Sequence, residues 1–258
     1  MNVYWFGRTH NNNLSEMSLD LESNGFSGIL LPYGSDVGDY FVQIARSLKS
    51  DQNFTYIVAV RPYTISPQNL GMIIKSLNSI DVGRVWINFV SGQILDEEKS
   101  MGGIIGEIND TSSLYERREY LKNYIPIFFD FCKKLKIETK ICISGKGDDM
   151  NSLVENYGDY SFAAYQSHAE VAKYKKISKP RVLSMFPLIE DDEEKFNKLK
   201  NSKELGSDIR LTTTLELKEI INELKLDGIE GVMFYCYWPE EYRIKIVNFV
   251  KDNKNLFT

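Results

Sequence analysis

The amino-acid sequence predicts one (β/α)8 barrel, a TIM barrel, that spans residues 1–258. Apolar, strand-like runs alternate with amphipathic helical segments along the whole chain, and there are eight of each. Several strand-like runs are apolar on both faces, which is typical of parallel strands covered by helices. The alternative is an open, doubly wound sheet, but no Gly-x-Gly-x-x-Gly follows the first strand. The count of eight therefore favours the closed barrel.

The predicted strands are short runs bounded by polar, glycine or proline residues. In chain order they are Val3–Gly7, Gly28–Pro32, Thr55–Val60, Val85–Val90, Lys140–Ser144, Tyr160–Ala164, Arg181–Leu188 and Gly231–Tyr237. No stretch rich in proline, glycine or serine separates them, so we expect a single domain.

The predicted helices carry recognisable start and stop signals. One begins with a Ser-Pro pair at Ser66, another shows an incomplete capping box at Ser15, and Gly158 follows the end of a third. The acidic run Glu190–Glu194 indicates a helix start, because carboxylates favour a helix N-terminus. The long, glycine-containing segment Gln93–Thr111 is predicted to be a loop at the active face. The predicted helices are Ser15–Asn24, Asp39–Lys49, Ser66–Ile80, Leu114–Leu135, Asp148–Tyr157, Ala169–Lys176, Leu215–Leu224 and Glu240–Asn253.

Composition excludes several classes of function. The net charge of -5 argues against a general nucleic-acid binder, which needs a basic face to neutralise phosphates. Cys132, Cys142 and Cys236 show no CxxC spacing, so we expect reduced thiols in a cytoplasmic protein. The sequence contains no apolar run long enough for a membrane span, and its first residues do not read as a signal peptide.

Polar residues and glycines gather where the third and fourth strands end. Arg61 follows the third strand, and Asn88, Ser91 and Gly92 follow or end the fourth. The carboxyl ends of parallel strands are where ligands bind in α/β proteins. An asparagine can hydrogen-bond a polar ligand edge, and a glycine allows close approach. The alternatives are a polar turn at the strand end, and an Arg61 that pairs with an acidic neighbour.

The turn after the fifth strand reads Ser144, Gly145, Lys146, Gly147 and leads into a helix. Glycines let backbone N–H groups approach a phosphate, and the helix start adds positive potential. Lys146 adds a full charge. The alternative is an ordinary turn between a strand and a helix, with an exposed lysine.

The chain has only two histidines, His10 and His168. His10 follows the first strand, so at a barrel mouth it would act as a general acid or base or bind substrate. The alternatives are a solvated His10 and a helix-capping His168. Two histidines among scattered carboxylates show no metal-binding spacing, so we predict no metal site.

Aromatic residues crowd the end of the eighth strand. Tyr235 and Tyr237 lie on one face of that strand, and Phe234 and Cys236 lie on the other. One of these two pairs points into the barrel. The inward pair would cover a ligand or form part of the core, and aromatic residues more often form core.

Several segments together carry a resemblance to a known family. They are Tyr4–His10 with its Thr-His pair, Gly25–Pro32, Val58–Pro62, Ser66–Pro67, Gly83–Gly92, Tyr115–Arg117 and Ile143–Gly147. This set resembles the bacterial-luciferase-like flavin monooxygenases, and most of all their alkanesulfonate monooxygenase branch. The resemblance covers nearly the whole chain, is specific in residues 55–92 and is weaker after residue 145.

The chain also departs from that branch. Val37 stands where the branch has a cysteine, and Ser184 and Phe186 stand where it has an arginine and a histidine. The link from Lys136 to Ile141 is short, and an insertion of helices after Pro187 is missing. A sulfonate needs cationic donors, so these departures weaken the expectation of desulfonation.

The resemblance implies a compact, flavin-dependent monooxygenase. Reduced FMN, supplied by a separate flavin reductase, would bind at the barrel mouth, and dioxygen would oxidise a small organic substrate. Ala59 and Arg61 would lie under the flavin ring, Tyr115 would donate its hydroxyl to the phosphate, and His10 and Tyr237 are the candidate catalytic residues. Relatives are often homodimers, and the same state is expected here.

Two alternatives remain open at this stage. Shortened relatives bind flavin without known turnover, so the chain could be a non-catalytic flavin-binding protein. Part of the superfamily uses a deazaflavin, so it could be a deazaflavin-dependent oxidoreductase.

Overall fold

The computed structural model describes residues 1–7, 13–32, 39–48, 53–92, 113–167, 169, 171, 177–202, 209–236 and 240–257. Its strands are β1 Asn2–Phe6, β2 Gly28–Leu31, β3 Thr55–Val60, β4 Val85–Phe89, β5 Ile141–Ser144, β6 Tyr160–Ala164, β7 Arg181–Met185, β8 Pro187–Ile189, β9 Arg210–Thr212 and β10 Gly231–Tyr235. Its helices are α1 Leu14–Ser23, α2 Tyr40–Ser47, α3 Pro67–Asn78, α4 Leu114–Leu135, α5 Asp148–Tyr157, α6 Glu193–Lys200, α7 Thr214–Leu226, α8 Glu240–Asp252 and α9 Lys254–Phe257, with a 3-10 turn at Pro62–Thr64.

Eight parallel strands close into a barrel in the order β1-β10-β7-β6-β5-β4-β3-β2. Each strand pairs with the next one in this order, and β1 closes the ring against both β10 and β2. The register places Ala59 of β3 opposite Asn88 of β4, and Asn88 opposite Cys142 of β5. The predicted (β/α)8 barrel is therefore confirmed, and the open doubly wound sheet is excluded.

The strands present alternate residues to two separate layers of the core. The outer layer packs the strands against the surrounding helices and includes Phe89 and Phe128, whose ring centroids are 5.3 Å apart. The inner layer fills the barrel with the side chains of Tyr4, Leu30, Ile57, Ala59, Cys142, Phe162, Val182 and Met233. Trp86 of the inner layer stacks on Tyr160 at 4.9 Å, near the amino-terminal ends of their strands. Aromatic side chains therefore fill this end of the barrel among the described residues.

The seventh predicted strand, Arg181–Leu188, is wrong as a single strand. The barrel strand β7 ends at Met185, and Pro187–Ile189 instead pairs with Arg210–Thr212 in a separate two-stranded parallel sheet. The reason is Pro187, which has no N–H to donate to the barrel ladder and is tolerated where a new strand begins. Strand β9 was not predicted.

Of two helix starts predicted from the sequence, the structure contradicts one and confirms the other. The expected capping box at Ser15 is wrong, because Asn13 caps α1 and its side chain accepts a hydrogen bond from the Glu16 N–H. The expected helix start in the acidic run is confirmed, because Asp192 caps α6 and accepts from the Lys195 N–H at 2.9 Å. The predicted helix Ala169–Lys176 lies largely outside the described residues.

Two further findings concern the cysteines and the helices. All three cysteines are free, with Cys132 and Cys142 buried, and burial raises the pKa of both buried thiols. Among the described residues, no helix combines the length and the apolarity that a bilayer crossing requires.

A buried carboxylate ties the small sheet to the last long helix. Glu190 follows β8 and is 4% exposed, and it accepts a 2.7 Å hydrogen bond from Lys245 Nζ of α8 and a 3.1 Å bond from the Asp192 N–H. Burial alone would raise the Glu190 pKa, but these two hydrogen bonds outweigh it and hold the pKa below its ordinary value.

We expect Glu190→Gln to lower stability at pH 7 by about 1 kcal/mol, because a charged acceptor is lost. A depressed pKa in the folded state contributes stability that is present above the ordinary carboxylate pKa and is lost as the pH falls through the lower folded value. The variant should therefore differ from wild type at pH 7 and converge with it in acid, as measured by urea unfolding midpoints. Glu138→Gln, at an exposed carboxylate, is the control. A pH-independent difference would contradict the assignment.

Candidate active site

A cavity of about 450 Å³ opens at the carboxyl-terminal mouth of the barrel. All eight barrel strands, or the residues directly after them, contribute to its wall. Its apolar floor consists of Leu30, Ala59, Phe162, Val182 and Met233, all of which belong to the inner layer of the core. The volume is in the range of small-molecule sites. The cavity therefore lies where ligands bind in this architecture.

A buried polar pair crosses the wall of the cavity between β4 and β5. Asn88 is 2% exposed, and its Oδ1 accepts a 2.9 Å hydrogen bond from the Ser144 hydroxyl. Strand register brings the pair together, since Asn88 lies opposite Cys142, two residues before Ser144. With its carbonyl oxygen engaged by Ser144, the Asn88 amide group can present its N–H donors to a ligand.

The Arg61 side chain lies along the same part of the rim. Arg61 directly follows β3, is 7% exposed, and lines the cavity together with Gly92. Gly92 has φ +54°, and an added Cβ would lie 2.8 Å from Arg61 Nε and 3.1 Å from Tyr63 Oη. Gly92 is therefore required both for its left-handed backbone and for the space that the Arg61 side chain occupies.

The glycine-rich turn after β5 forms another part of the rim. Gly145 and Gly147 have positive φ values of +148° and +107°, and Lys146 donates to Gln166 Oε1 at 2.7 Å. Gly147 caps α5, whose first turn carries Asp148 and Asp149. An added Cβ at Gly147 would meet no atom within 4 Å, so the backbone there is open to approach.

The electrostatic character of the cavity is positive. Among the described residues that line it, Arg61 and Lys146 are cations and none is a carboxylate. Asp149, near the glycine-rich turn, lies 3.1 Å from Lys122 Nζ of α4, which partly neutralises it. A ligand that carries negative charge or electron-rich oxygens suits this lining. No group of residues suited to a metal occurs in the described part of the chain.

The structure brings together most of the predicted site residues. Ala59, Arg61, Asn88, Gly92, Ser144, Gly145 and Lys146 line one cavity. Ser91 and Gly147 adjoin that wall without lining it. Tyr115, in the first turn of α4, is 68% exposed and is not part of the lining. The predicted catalytic residues His10 and Tyr237 lie outside the described residues, as do His168 and the loop Gln93–Thr111.

Apart from Ala59, the residues of the apolar floor were not predicted from the sequence. Phe162, Val182 and Met233 belong to the inner layer, so strand alternation could have identified them as inward-facing residues. The Tyr235 side chain of β10 points into the barrel. Its ring centroid lies 4.2 Å from that of Phe6, which lines the cavity.

The structure of this chain is similar to the solved structures of several known proteins. No family model matches the sequence. An F420-dependent secondary alcohol dehydrogenase in complex with an F420–acetone adduct is 12% identical, with a TM-score of 0.75 over 100% of this chain and 99% of that one. An EDTA monooxygenase from Chelativorans sp. is 11% identical, with a TM-score of 0.73 over 100% and 95%. A riboflavin lyase with modified FMN and riboflavin is 10% identical, with a TM-score of 0.73 over 97% and 90%.

These similarities extend over nearly the full length of both chains in each pair. At 10–12% identity they establish the fold, a barrel shared with an F420-dependent dehydrogenase and with a riboflavin lyase whose structure holds modified FMN. They do not select the alkanesulfonate branch.

Two glycines provide a matched test of the rim geometry. Gly92 and Gly83 both have positive φ, +54° and +78°, but an added Cβ at Gly83 meets nothing within 4 Å. We expect Gly83→Ala to cost about 1 kcal/mol from backbone strain alone. Gly92→Ala should cost about 1–3 kcal/mol more, because the new methyl group overlaps Arg61. Urea unfolding midpoints measure both, and equal midpoints would mean that Arg61 is not held against Gly92.

Proposed function

We propose that this protein is a flavin-dependent monooxygenase that binds reduced FMN at the barrel mouth and oxidises a small organic substrate with dioxygen. The observation that carries the proposal is a cavity with an apolar floor, two cations and no carboxylate among its described lining residues. The shared fold with flavin-dependent and F420-dependent proteins supports it.

The lining residues fit an isoalloxazine ring. Ala59, Phe162 and Val182 contribute apolar side chains to the cavity lining, and an aromatic ring would pack against them. Asn88 would hydrogen-bond the polar edge of the ring, and the Arg61 charge would face electron-rich ring oxygens. The burial of Arg61 and Asn88 fixes both groups before a ligand arrives, which reduces the entropic cost of binding.

The phosphate of FMN would lie at the glycine-rich turn. The open backbone at Gly147 and the ammonium group of Lys146 are the favourable features. Asp148 and Asp149 oppose them, although Lys122 partly neutralises Asp149. Phosphate affinity at this turn therefore depends on Lys146 more than on the helix start.

In such a protein the flavin supplies the electrons for the reaction with dioxygen. The chain holds and orients the ring, and the apolar floor excludes water from one ring face. We further propose that a separate flavin reductase supplies the reduced FMN and that the protein is a cytoplasmic homodimer. His10 and Tyr237 remain the proposed catalytic residues.

A deazaflavin-dependent oxidoreductase is the second candidate. Two of the similar structures are F420-dependent enzymes, the alcohol dehydrogenase and a tetrahydromethanopterin reductase from Methanopyrus kandleri with a TM-score of 0.72. The same cavity features would hold a deazaflavin ring. A non-catalytic flavin-binding protein is the third candidate, since the cavity would bind the ring whether or not turnover follows.

Anaerobic titration with reduced FMN, followed by exposure to oxygen, tests the proposal. We expect saturable binding of reduced FMN, and reoxidation of the bound flavin without immediate release of hydrogen peroxide. Absorbance reports the flavin, and a peroxidase-coupled assay reports the peroxide. Binding with immediate peroxide release would instead indicate a non-catalytic flavin protein. Tight binding of reduced F420 but not of FMN would indicate the deazaflavin candidate, and binding of neither would refute the cofactor site.

Two lysines at opposite ends of β5 test the phosphate position. Lys146 follows the strand at the mouth, and Lys140 precedes it at the far end, 3.6 Å from Asp159. We expect Lys146→Gln to weaken FMN binding about tenfold or more, because a charge-assisted contact is lost. Riboflavin, which has no phosphate, should bind both proteins equally, and Lys140→Gln should bind FMN as wild type does. Equal losses for FMN and riboflavin in Lys146→Gln would place the phosphate elsewhere.

A further inference from the structure

A second cavity of about 600 Å³ adjoins the first at the barrel rim. The two share Ala164 and Ser184, which lie at the ends of β6 and β7. Lys146 of the first cavity donates a 2.7 Å hydrogen bond to Gln166 of the second cavity, so these two side chains lie between the two cavities. A molecule in the second cavity would therefore lie beside the proposed flavin.

The cation of the second cavity is Arg210, the first residue of β9. Its N–H donates to the Phe186 carbonyl at 2.9 Å, and the register of the small sheet pairs it with Pro187. The small sheet thus fixes the Arg210 backbone beside the end of β7. Its guanidinium carbon lies 5.5 Å from the centre of the Tyr165 ring, over the ring face. This cation–π contact holds the guanidinium at the cavity wall beside Tyr165. A guanidinium carries five N–H donors, which is more than one contact with a tyrosine can use.

The remaining described lining of this cavity is apolar or neutral. Tyr165, Met185, Phe186 and Ile209 form the apolar wall, and no described lining residue is a carboxylate. An apolar wall next to one guanidinium is the lining expected for a small organic anion.

The opposing charges lie behind β9 on helix α7. Glu216, Glu219 and Glu223 border a separate surface depression that Arg210 also reaches. Burial raises the Tyr165 pKa, the charge of Arg210 lowers it and the charge of Glu223 raises it. Glu223 therefore lies close enough to this part of the cavity wall to weaken an anion bound at Arg210.

We propose that the second cavity binds the organic substrate, and that this substrate is a small carboxylate with an apolar body, held by Arg210. The carboxylate would take the guanidinium edge, and the apolar body would pack on Phe186 and Met185 with its reactive carbon directed toward Ala164 and Ser184. Its role as a substrate site depends on the proposed flavin function, but anion binding at Arg210 does not.

Calorimetric titration with benzoate and with its neutral analogue benzamide tests the proposal, on the flavin-free protein and on the protein loaded with FMN. We expect benzoate to bind more tightly than benzamide in both forms. Arg210→Gln should weaken benzoate about tenfold or more and leave benzamide unchanged, since a charge-assisted contact is worth about 1.5–3 kcal/mol. Arg46→Gln is the matched control, because this exposed arginine lies on α2, which follows β2, directly across the ring from β6.

Glu223→Gln provides a second variant with the opposite sign. Removing this charge should tighten benzoate binding a few-fold, which a merely structural change would not do. Equal affinity of wild type for benzoate and benzamide, no benzoate binding, or an Arg210→Gln variant that binds like wild type would each overturn the proposal. If FMN fails to bind while benzoate binding still depends on Arg210, the flavin proposal fails and the anion site stands.

Discussion

The closed ring of parallel strands is the constraint on which the rest of this structure depends. Closure directs alternate side chains of every strand into one shared interior, so the sizes of those side chains decide where the barrel is filled. Along β4 the inward series runs from Trp86 to Asn88, and along β6 it runs from Tyr160 through Phe162 to Ala164. On these two strands the large rings lie toward the amino-terminal end and the smaller side chains lie toward the mouth. On β1 and β10, by contrast, Phe6 and Tyr235 place rings at the mouth. The small side chains of β4 and β6 therefore open their side of the cavity.

Charged side chains can occupy the rim because they follow the strand ends, where the barrel interior opens to the mouth. Arg61 and Lys146 follow the ends of β3 and β5, two strands apart in the ring, so roughly 10 Å of rim separates their strands at the usual strand spacing. Arg210 reaches the same rim from the small sheet outside the barrel. An elongated ligand with electron-rich groups at both ends suits the first two cations, and a separate small anion suits the third. The cations at the mouth therefore lie in two neighbouring cavities, Arg61 and Lys146 in the first and Arg210 in the second.

Local sequence patterns were sufficient to predict the features that depend on a single strand, helix or turn. Thr55–Val60 and Leu114–Leu135 were predicted to the residue, because a continuous apolar run marks the strand and an amphipathic pattern marks the helix. The structure adds a capping box of Ser113 and Glu116 at the start of that helix. Six of the seven cavity-lining site residues were predicted because they lie at or just after strand ends, and Ala59 was predicted from the family resemblance. The hydrogen bond between Asn88 and Ser144 was not predictable, since it depends on the register of two strands and joins residues that are 56 positions apart in sequence.

The least predictable feature is the path of the chain after β7. The apolar run Arg181–Leu188 shows no change in composition, yet Pro187 cannot donate to the barrel ladder and the chain leaves the ring there. The three residues of β9 are too few to show a periodic pattern, and they form a strand only because β8 has already left the barrel. The position of Arg210 follows from this departure. Pro187 thus determines both where the barrel strand ends and why Arg210 of the small sheet lies beside the mouth.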